Sequence, residues 1–211
     1  MKKTIIILGC VVSFFLSTAY AQDSGFYIGA GGSYALESFD VEDSDDLESM
    51  GLKMDFGNSY GLNLKAGYCF SELFALEFNF DYLPSFEWDD RGSYQGFAIA
   101  VDSELKLMTY MLAGKLSPDF GFKKVKPYIL AGIGMMDGDI DMSVSASGYG
   151  ASASTSASES DSDLCSKFGL GMDFYINDNV SLDFEGSYVL GFNDMDGMDY
   201  FHFTLGIAYH F

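Results

Sequence analysis

Apolar and polar residues alternate almost without interruption over the last twelve residues of the chain. From Phe201 onward every second residue is apolar, and the residues between them are small or polar. A period of two places successive side chains on opposite faces of a β-strand, and a tilted strand needs roughly 9 to 11 residues to cross a bilayer. The segment is therefore long enough to span a membrane with one lipid-facing side. Its apolar set consists of Phe201, Phe203, Leu205, Ile207, Tyr209 and Phe211.

The same period-two pattern recurs along the rest of the chain and predicts seven further strands. On the fourth strand both faces carry apolar residues, so its register stays open, as does that of the fifth. We place Tyr110, Leu112, Gly114 and Leu116 outward, because the opposite choice would put Lys115 in lipid. The eight predicted strands cover residues 25–37, 62–70, 74–82, 97–116, 127–134, 167–176, 181–190 and 200–211.

The segments between these strands differ in length and charge. Three inner connections are short: Ser71–Leu73, Ser117–Lys126 and Asn177–Asn179. Four outer loops are longer and more acidic: Glu37–Glu48, Pro84–Ser103, Ser143–Asp163 and Gly191–Asp199. The third outer loop is rich in Ser, Ala and Gly, which is typical of a flexible surface loop. The alternative is that the preceding strand continues and turns near Gly148–Gly150.

The amino terminus has the layout of a secretory signal peptide. Lys2 and Lys3 precede the apolar run Ile5–Leu16, and Ala19-Tyr20-Ala21 forms an A-x-A cleavage site. The apolar run is too short for a retained spanning helix. Leu8-Gly9-Cys10 weakly resembles a lipoprotein box, but the apolar run continues past the cysteine. We therefore predict that residues 1–21 are removed and that residues 22–211 form one barrel domain.

Together these patterns predict an all-β protein, an eight-stranded antiparallel up-and-down transmembrane β-barrel. Eight strands leave an interior just wide enough for side chains to fill. Inward-facing positions carry both signs of charge, so we expect ion pairs across a polar, closed lumen rather than the alternative of a narrow porin channel. The predicted lumen charges are Lys65, Glu77, Asp81, Lys115, Lys167, Asp173, Asp183 and Glu185.

Several motifs resemble the small outer-membrane β-barrel family of the OmpA transmembrane domain, OmpX and opacity surface antigen type. They are the segment Lys126–Gly134, the segment Gly169–Phe174 leading to Asn177–Asn179, and the terminal Phe211. The resemblance implies the cell outer membrane of a Gram-negative-type bacterium and a structural, adhesive or antigenic role. It also implies that Tyr209 and Phe211 are an assembly signal for the barrel insertion machinery. Unlike full-length OmpA, no peptidoglycan-binding domain follows Phe211, so cell-wall anchoring is not expected.

Charge limits the partners that the chain can bind. A formal net charge of −20 argues against nucleic acid. Outer-membrane lipids are the expected partners of the barrel, and host or matrix molecules or divalent cations could bind the acidic loops. The series Asp137, Asp139 and Asp141 begins like a calcium loop but lacks the glycine and glutamate that an EF-hand requires.

No residues in the sequence align a nucleophile with a base, so we predict that the protein is not an enzyme and needs no cofactor or metal. The alternative is a lipid A deacylase-like barrel enzyme, because His202 and Thr204 are spaced like a His-x-Ser pair. Alternation turns both residues inward, however, and threonine replaces the nucleophile. Cys69 and Cys165 should lie at opposite ends of the barrel, too far apart for a disulfide.

Overall fold

Alternating residues give each strand two different faces, and eight such strands close into a single antiparallel barrel in sequence order. The computed structural model describes residues 24–38, 57–94, 97–122, 124–148, 151–195 and 197–211. The predicted signal peptide, residues 1–21, lies outside these. The strands are β1 Gly25–Glu37, β2 Ser59–Cys69, β3 Phe74–Tyr94, β4 Phe97–Leu116, β5 Val125–Gly148, β6 Ala151–Tyr175, β7 Val180–Gly191 and β8 Tyr200–His210. The predicted fold class is confirmed.

The barrel closes between its first and last strands. Their pairing runs from Tyr27 opposite His210 to Glu37 opposite Tyr200. The backbone N–H of Phe211 donates to the carbonyl oxygen of Phe26 at 2.9 Å, so the terminal residue continues this seam. Closure leaves no unpaired edge in the barrel wall.

Short connections lie at one end of the barrel, which we call the turn end. The predicted turn at residues 71–73 is present, and the N–H of Phe70 donates to Phe74 O at 2.9 Å. The turn at residues 177–179 is also present, with Asn177 Oδ1 accepting from the N–H groups of Asn179 and Val180. The third connection is shorter than predicted, because β5 begins at Val125 rather than at Pro127.

At the opposite end, which we call the hairpin end, the predicted loop Pro84–Ser103 is wrong for residues 84–94, which continue β3. The prediction that residues 97–101 of this segment already belong to the fourth strand is confirmed, since β4 begins at Phe97. The register shifts once, between Leu83 and Phe86, so that Pro84 occupies a β-bulge, where a missing N–H is tolerated. Pairing then continues to Tyr94 opposite Phe97.

Residues 143–148 and 151–163 belong to two paired strands, which contradicts the flexible-loop interpretation and confirms that the preceding strand continues. β5 and β6 pair without a register shift from Val125 opposite Phe174 to Gly148 opposite Ala151. The serine- and alanine-rich sequence forms strands here because the backbone groups of β5 and β6 pair with each other.

The structure describes the other two predicted outer loops only in part. Glu37 is the last residue of β1, and the acidic loop beyond it lies outside the described residues from position 39 to position 56. The final loop begins after Gly191 and contains a single-turn 3-10 helix, Asn193–Met195. Met195 is 1% exposed, so this loop turns back into the barrel.

The outer wall of the barrel is apolar around its circumference. The outward choice for β4 is confirmed, because Leu112 is half-exposed while Lys115 is buried. Every strand of the barrel contributes exposed apolar side chains, among them Phe26, Leu64, Phe78, Leu112, Ile133, Leu170, Phe184 and Leu205. Such a surface needs a lipid environment.

Among the described residues, no helix has the length and apolarity needed to cross a membrane.

Candidate functional site: the barrel interior and the protruding sheet

Charged side chains meet in pairs inside the part of the barrel nearer the turn end. Lys115 Nζ lies 2.8 Å from Asp173 Oδ2, and Lys65 Nζ pairs with Asp183 Oδ1. All four residues are buried. Removing such charges from water is costly unless each has a close partner of opposite sign. Neither pair joins neighbouring strands, since β5 lies between β4 and β6, and β1 and β8 lie between β2 and β7.

A third lysine connects two carboxylates in the middle of the barrel. Lys167 Nζ lies 2.8 Å from Glu185 Oε1 and 3.7 Å from Asp81 Oδ2, and its side chain is fully buried. Asp81 also lies 3.4 Å from Nε2 of His202 and accepts a hydrogen bond from Asn63 Nδ2 at 2.6 Å. This group links β2, β3, β6, β7 and β8 through side chains alone.

Neutral side chains complete this network. The hydroxyl of Tyr27 donates to Glu77 Oε2 at 2.5 Å, and Asn79 Nδ2 donates to the other oxygen of Glu77 at 2.9 Å. The hydroxyl of Tyr128 donates to Asp183 Oδ2 at 2.7 Å. The two tyrosines were missed from the sequence, although their inward parity on β1 and β5 could have indicated them.

All eight predicted lumen charges thus point into the barrel and are buried. We call them, with their neutral partners Tyr27, Asn63, Asn79 and Tyr128, the polar layer. Three lysines face five carboxylates, so the polar layer has more acidic than basic groups. The tyrosine and asparagine donors bind the carboxylate oxygens that no lysine reaches.

Above the polar layer the interior is apolar, which corrects the prediction of a polar lumen throughout. Leu83 and Phe86 lie on either side of the bulge in β3, and both point inward and are fully buried. Cys165 and Met111 also meet here, with their sulfur atoms 3.3 Å apart. We call this cluster the apolar layer; its buried members are Ala35, Leu83, Phe86, Trp88, Val101, Leu105, Leu107, Met111, Met136, Cys165, Val189, Met195 and Tyr200.

The two histidines of the chain are its candidate bases for enzymatic chemistry. His202 and Thr204 are 0% and 2% exposed inside the polar layer, where a lipid substrate outside the wall cannot touch them. Sequence reasoning missed a second contact, between Ser181 Oγ and Nε2 of His210 at 3.0 Å near the turn end. This is the contact that a nucleophile and its base require. Ser181 is fully buried, however, so its hydroxyl faces no substrate.

Four strands extend past the barrel at the hairpin end and form what we call the protruding sheet. It consists of residues 86–94 of β3, 97–105 of β4, 140–148 of β5 and 151–159 of β6. Its outer face is acidic, with Glu87, Asp89, Asp102, Glu104 and Asp141. Beside it on β4, Lys106 donates to Asp141 Oδ2 at 3.3 Å, and this hydrogen bond together with Glu104 raises the pKa of Lys106.

One edge of the protruding sheet is formed by β6. Pairing between β6 and β7 begins only at Cys165 opposite Gly191. From Ala151 to Ser162, β6 pairs with β5 on one side, and within the described part of the chain no strand pairs with its other side. From Ser152 to Ser162 its side chains are exposed. Such an edge presents unpaired backbone donors and acceptors.

An open cavity of about 750 Å³ lies at the turn end. Its walls include Tyr27 and Asp173 of the polar layer, with Phe120, Phe122 and Lys124 from the β4–β5 connection. In the described residues, no group of three His, Cys, Asp or Glu side chains is arranged to hold a metal ion. Asp137, Asp139 and Asp141 lie in extended strand β5 rather than in a loop.

The residues of the predicted assembly signal lie apart from the interior. Tyr209 and Phe211 are on the outer wall near the turn end, 47% and 71% exposed. Cys69 lies at the turn end of β2 and Cys165 in the apolar layer, and both thiols are free.

Comparison with known proteins gives a family match over nearly the whole chain. A family model described as outer membrane protein beta-barrel domain matches residues 6–211. No curated protein matches the chain. Solved structures of other outer-membrane proteins share its fold, among them the following two. Ail, the attachment invasion locus protein of Yersinia pestis, in complex with the heparin analogue sucrose octasulfate, is 21% identical with a TM-score of 0.50, and the match covers 89% of this chain and 97% of that one. Neisserial surface protein A is 15% identical with a TM-score of 0.58, covering 90% of this chain and 100% of that one.

Proposed function

Because this chain belongs to the outer-membrane β-barrel family and resides in the outer membrane of a Gram-negative-type bacterium, we propose that it is a non-enzymatic surface protein that attaches to a protein partner through its protruding sheet. In outer-membrane barrels the short turns face the periplasm and the longer connections face outside. The turn end of this barrel is accordingly periplasmic, and the hairpin end carries the protruding sheet above the membrane.

The interior supports a structural role for the barrel rather than transport. Ions crossing it would have to displace the paired charges of the polar layer and then the apolar layer above it. In the polar layer, Lys167 lies between two carboxylates. In the apolar layer, Phe86 and Leu107 are fully buried. We therefore propose a closed lumen, with function located outside the membrane. A narrow porin would need a continuous polar path, which the apolar layer does not offer.

The observation that carries the proposal is the edge of β6. Twelve consecutive residues, Ala151 to Ser162, have one backbone side unpaired in the described part of the chain. An extended peptide can add a strand to an edge of this kind, with main-chain hydrogen bonds supplying affinity. Proteins usually protect such edges with lysine, proline or bulges. This edge carries none of the three.

Charge narrows the class of partner. The Yersinia protein is named for attachment, and its structure was solved with a sulfated heparin analogue. The protruding sheet here is acidic on its outer face, so a sulfated polyanion would be repelled. We propose a host or matrix protein with an extended, basic segment. Divalent cations that screen the carboxylates would weaken the attraction to such a segment.

Two further expectations follow from the family. Tyr209 and Phe211 act as the assembly signal that the barrel insertion machinery recognises, and outer-membrane lipids surround the apolar wall. An enzymatic role is the alternative, and the burial of Ser181, His202 and Thr204 speaks against it.

The experiment compares edge and interior strands of the same hairpin. Protein folded in nanodiscs is tested for binding to immobilised extracellular-matrix proteins, with lysines placed at Ser154 and Ser158 on the edge. The matched control places lysines at Ser143 and Ser145, which lie on the same face but on β5, where both sides are paired. We expect the edge variant to lose at least tenfold in affinity and the control, which adds the same charge to the same acidic face, to lose much less. Equal losses in both variants, or no binding by the native protein, would refute the proposal.

A further inference from the structure

Positive charge is concentrated at one turn of a chain that is otherwise strongly acidic. The chain has a net charge of −20, yet residues 117–126 contain three lysines, Lys123, Lys124 and Lys126, and one acid, Asp119. The other two connections at the turn end, residues 71–73 and 177–179, each contain one acidic residue and no lysine or arginine. The basic charge therefore belongs to one sector of the periplasmic rim.

Two aromatic side chains at the tip of this turn are exposed. Phe120 and Phe122 are 63% and 62% exposed, and they flank Gly121, whose φ of +79° forms the bend. Asp119 accepts a hydrogen bond from the N–H of Gly121 at 2.7 Å, so the one acid of the turn is engaged with its backbone. Aromatic rings and lysines are both favoured at a membrane interface, where one part of the side chain is apolar and the surroundings are wet.

Backbone hydrogen bonds hold both ends of the turn against the barrel. The N–H of Ser117 donates to Leu73 O at 2.8 Å, and the N–H of Tyr175 donates to Lys124 O at 2.8 Å. The turn directly follows lipid-facing Leu116 and precedes lipid-facing Ile129 on the next strand. The tip is thus continuous with the apolar wall and lies just beyond it, at the level of the inner-leaflet headgroups.

The two described lysines of the turn are not neutralised by the barrel. In the described part of the chain, neither Lys124 nor Lys126 forms an ion pair, whereas the nearby Asp173 is paired with Lys115. Lys126 Nζ lies 5.3 Å from the centre of the Tyr175 ring. Both lysines border the open cavity at the turn end together with Phe120 and Phe122. Cationic groups of this kind attract anionic lipid headgroups.

We propose that the β4–β5 turn binds the headgroup of an anionic phospholipid from the inner leaflet of the outer membrane. The lipid phosphate lies against Lys124 and Lys126, and the glycerol and first methylenes contact Phe120 and Phe122. A lipid is favoured over a soluble anion because the aromatic rings adjoin the lipid-facing wall. The site is at the opposite end of the barrel from the proposed attachment surface. The lipid proposal depends only on the turn end facing the periplasm.

Quenching of a tryptophan placed in the turn tests the proposal. Trp88 is the only tryptophan of the chain, so W88F combined with F122W gives a protein with one tryptophan, located at the turn. The protein is folded into bilayers that contain equal fractions of either brominated phosphatidylglycerol or brominated phosphatidylcholine. We expect several-fold stronger quenching by the anionic lipid. About 1 M salt should abolish the difference, because it shortens the screening length to about 3 Å.

Charge variants in the same background identify the residues responsible. K124Q and K126Q should each lower the preference for phosphatidylglycerol, and the variant with both substitutions should be quenched equally by the two lipids. K106Q removes the same charge from the strand beside the protruding sheet and should leave the preference unchanged. Heat-dependent gel mobility verifies that each variant is folded. Equal quenching in the reporter protein, no quenching by either lipid, or a preference that survives both substitutions would overturn the proposal.

Discussion

Lys167 shows at the scale of one residue how the barrel interior is held together. Its ammonium group is fully enclosed and faces Glu185 and Asp81, which are themselves buried. Removing one partner from a buried ion pair is far more costly than never having the pair, because the remaining charge stays desolvated. The polar layer should therefore tolerate little change at this position.

We predict that Lys167→Met lowers the free energy of unfolding by about 3–5 kcal/mol, because two carboxylates then lose their shared cation. The measurement is urea unfolding of the folded protein in lipid or detergent. Lys106→Met is the control, since this lysine is exposed and pairs with Asp141 near the membrane surface. It should leave the unfolding midpoint almost unchanged. A similar effect in both variants would contradict the role assigned to the polar layer.

Gly67 provides a second test at this scale. A Cβ atom at Gly67 would come within 2.5 Å of the Tyr27 hydroxyl oxygen, so the ring lies directly over the glycine. Gly67→Ala should displace Tyr27, break its hydrogen bond to Glu77 and cost about 1–3 kcal/mol of unfolding free energy. At Gly32, also in a strand, an added Cβ would meet no atom within 4 Å. If Gly32→Ala is equally destabilising, the tyrosine contact does not explain the effect of Gly67→Ala.

Alternation alone placed the eight lumen charges, because side-chain direction in a strand depends only on parity. It could not pair them, since Lys65 and Asp183 are separated by 118 residues and meet only when the barrel closes. The apolar layer was missed for a different reason. The bulge between Leu83 and Phe86 reverses parity on β3, so Trp88 points inward where uninterrupted alternation would place it outside.

At the scale of elements, strand length at the hairpin end was the least predictable feature. Pro84 and the polar residues after it favour turns by local propensity, and Ser-Ala repeats favour flexible segments. Both signals were outweighed by pairing with a neighbouring strand, which satisfies the backbone whatever the side chains are. The turn end was better predicted, because tight turns such as residues 177–179 are determined by local side-chain hydrogen bonds.

We predict that the extended β5–β6 hairpin can be trapped by a disulfide between paired positions. Ser145 and Ser154 are directly opposite each other, so S145C with S154C should cross-link rapidly under mild oxidation. S147C with S154C shifts the pair by two residues and should cross-link much more slowly. Gel mobility after oxidation distinguishes the two. Equal cross-linking in both would indicate a flexible loop instead of a hairpin in register.

The last strand is expected to carry information for assembly. Deleting Phe211 should lower the amount of folded protein in the outer membrane, because it removes the terminal aromatic of the proposed assembly signal. Export to the periplasm should continue. Phe192→Ala removes a half-exposed phenylalanine at the hairpin end and serves as the control. Cell fractionation with heat-dependent gel mobility measures both steps, and normal insertion of the shortened chain would count against the signal.

At the scale of the whole molecule, polarity changes along the barrel axis. Basic residues cluster at the periplasmic rim, paired charges fill the polar layer, apolar side chains fill the layer above, and acidic residues cover the outer face of the protruding sheet. This order separates the tasks of the molecule. We propose that the rim contacts lipid, that the two interior layers stabilise the barrel, and that the protruding sheet serves recognition outside the cell.

The central claim is that the barrel is a filled support and not a pore, and current recordings across planar bilayers test it most directly. Protein folded from purified material should insert without producing steady conductance, because the apolar layer at Phe86, Leu107 and Met111 leaves no polar path above the polar layer. A known porin in the same bilayers shows that conductance would be detected. Reproducible conductance steps from the folded native protein would contradict the account.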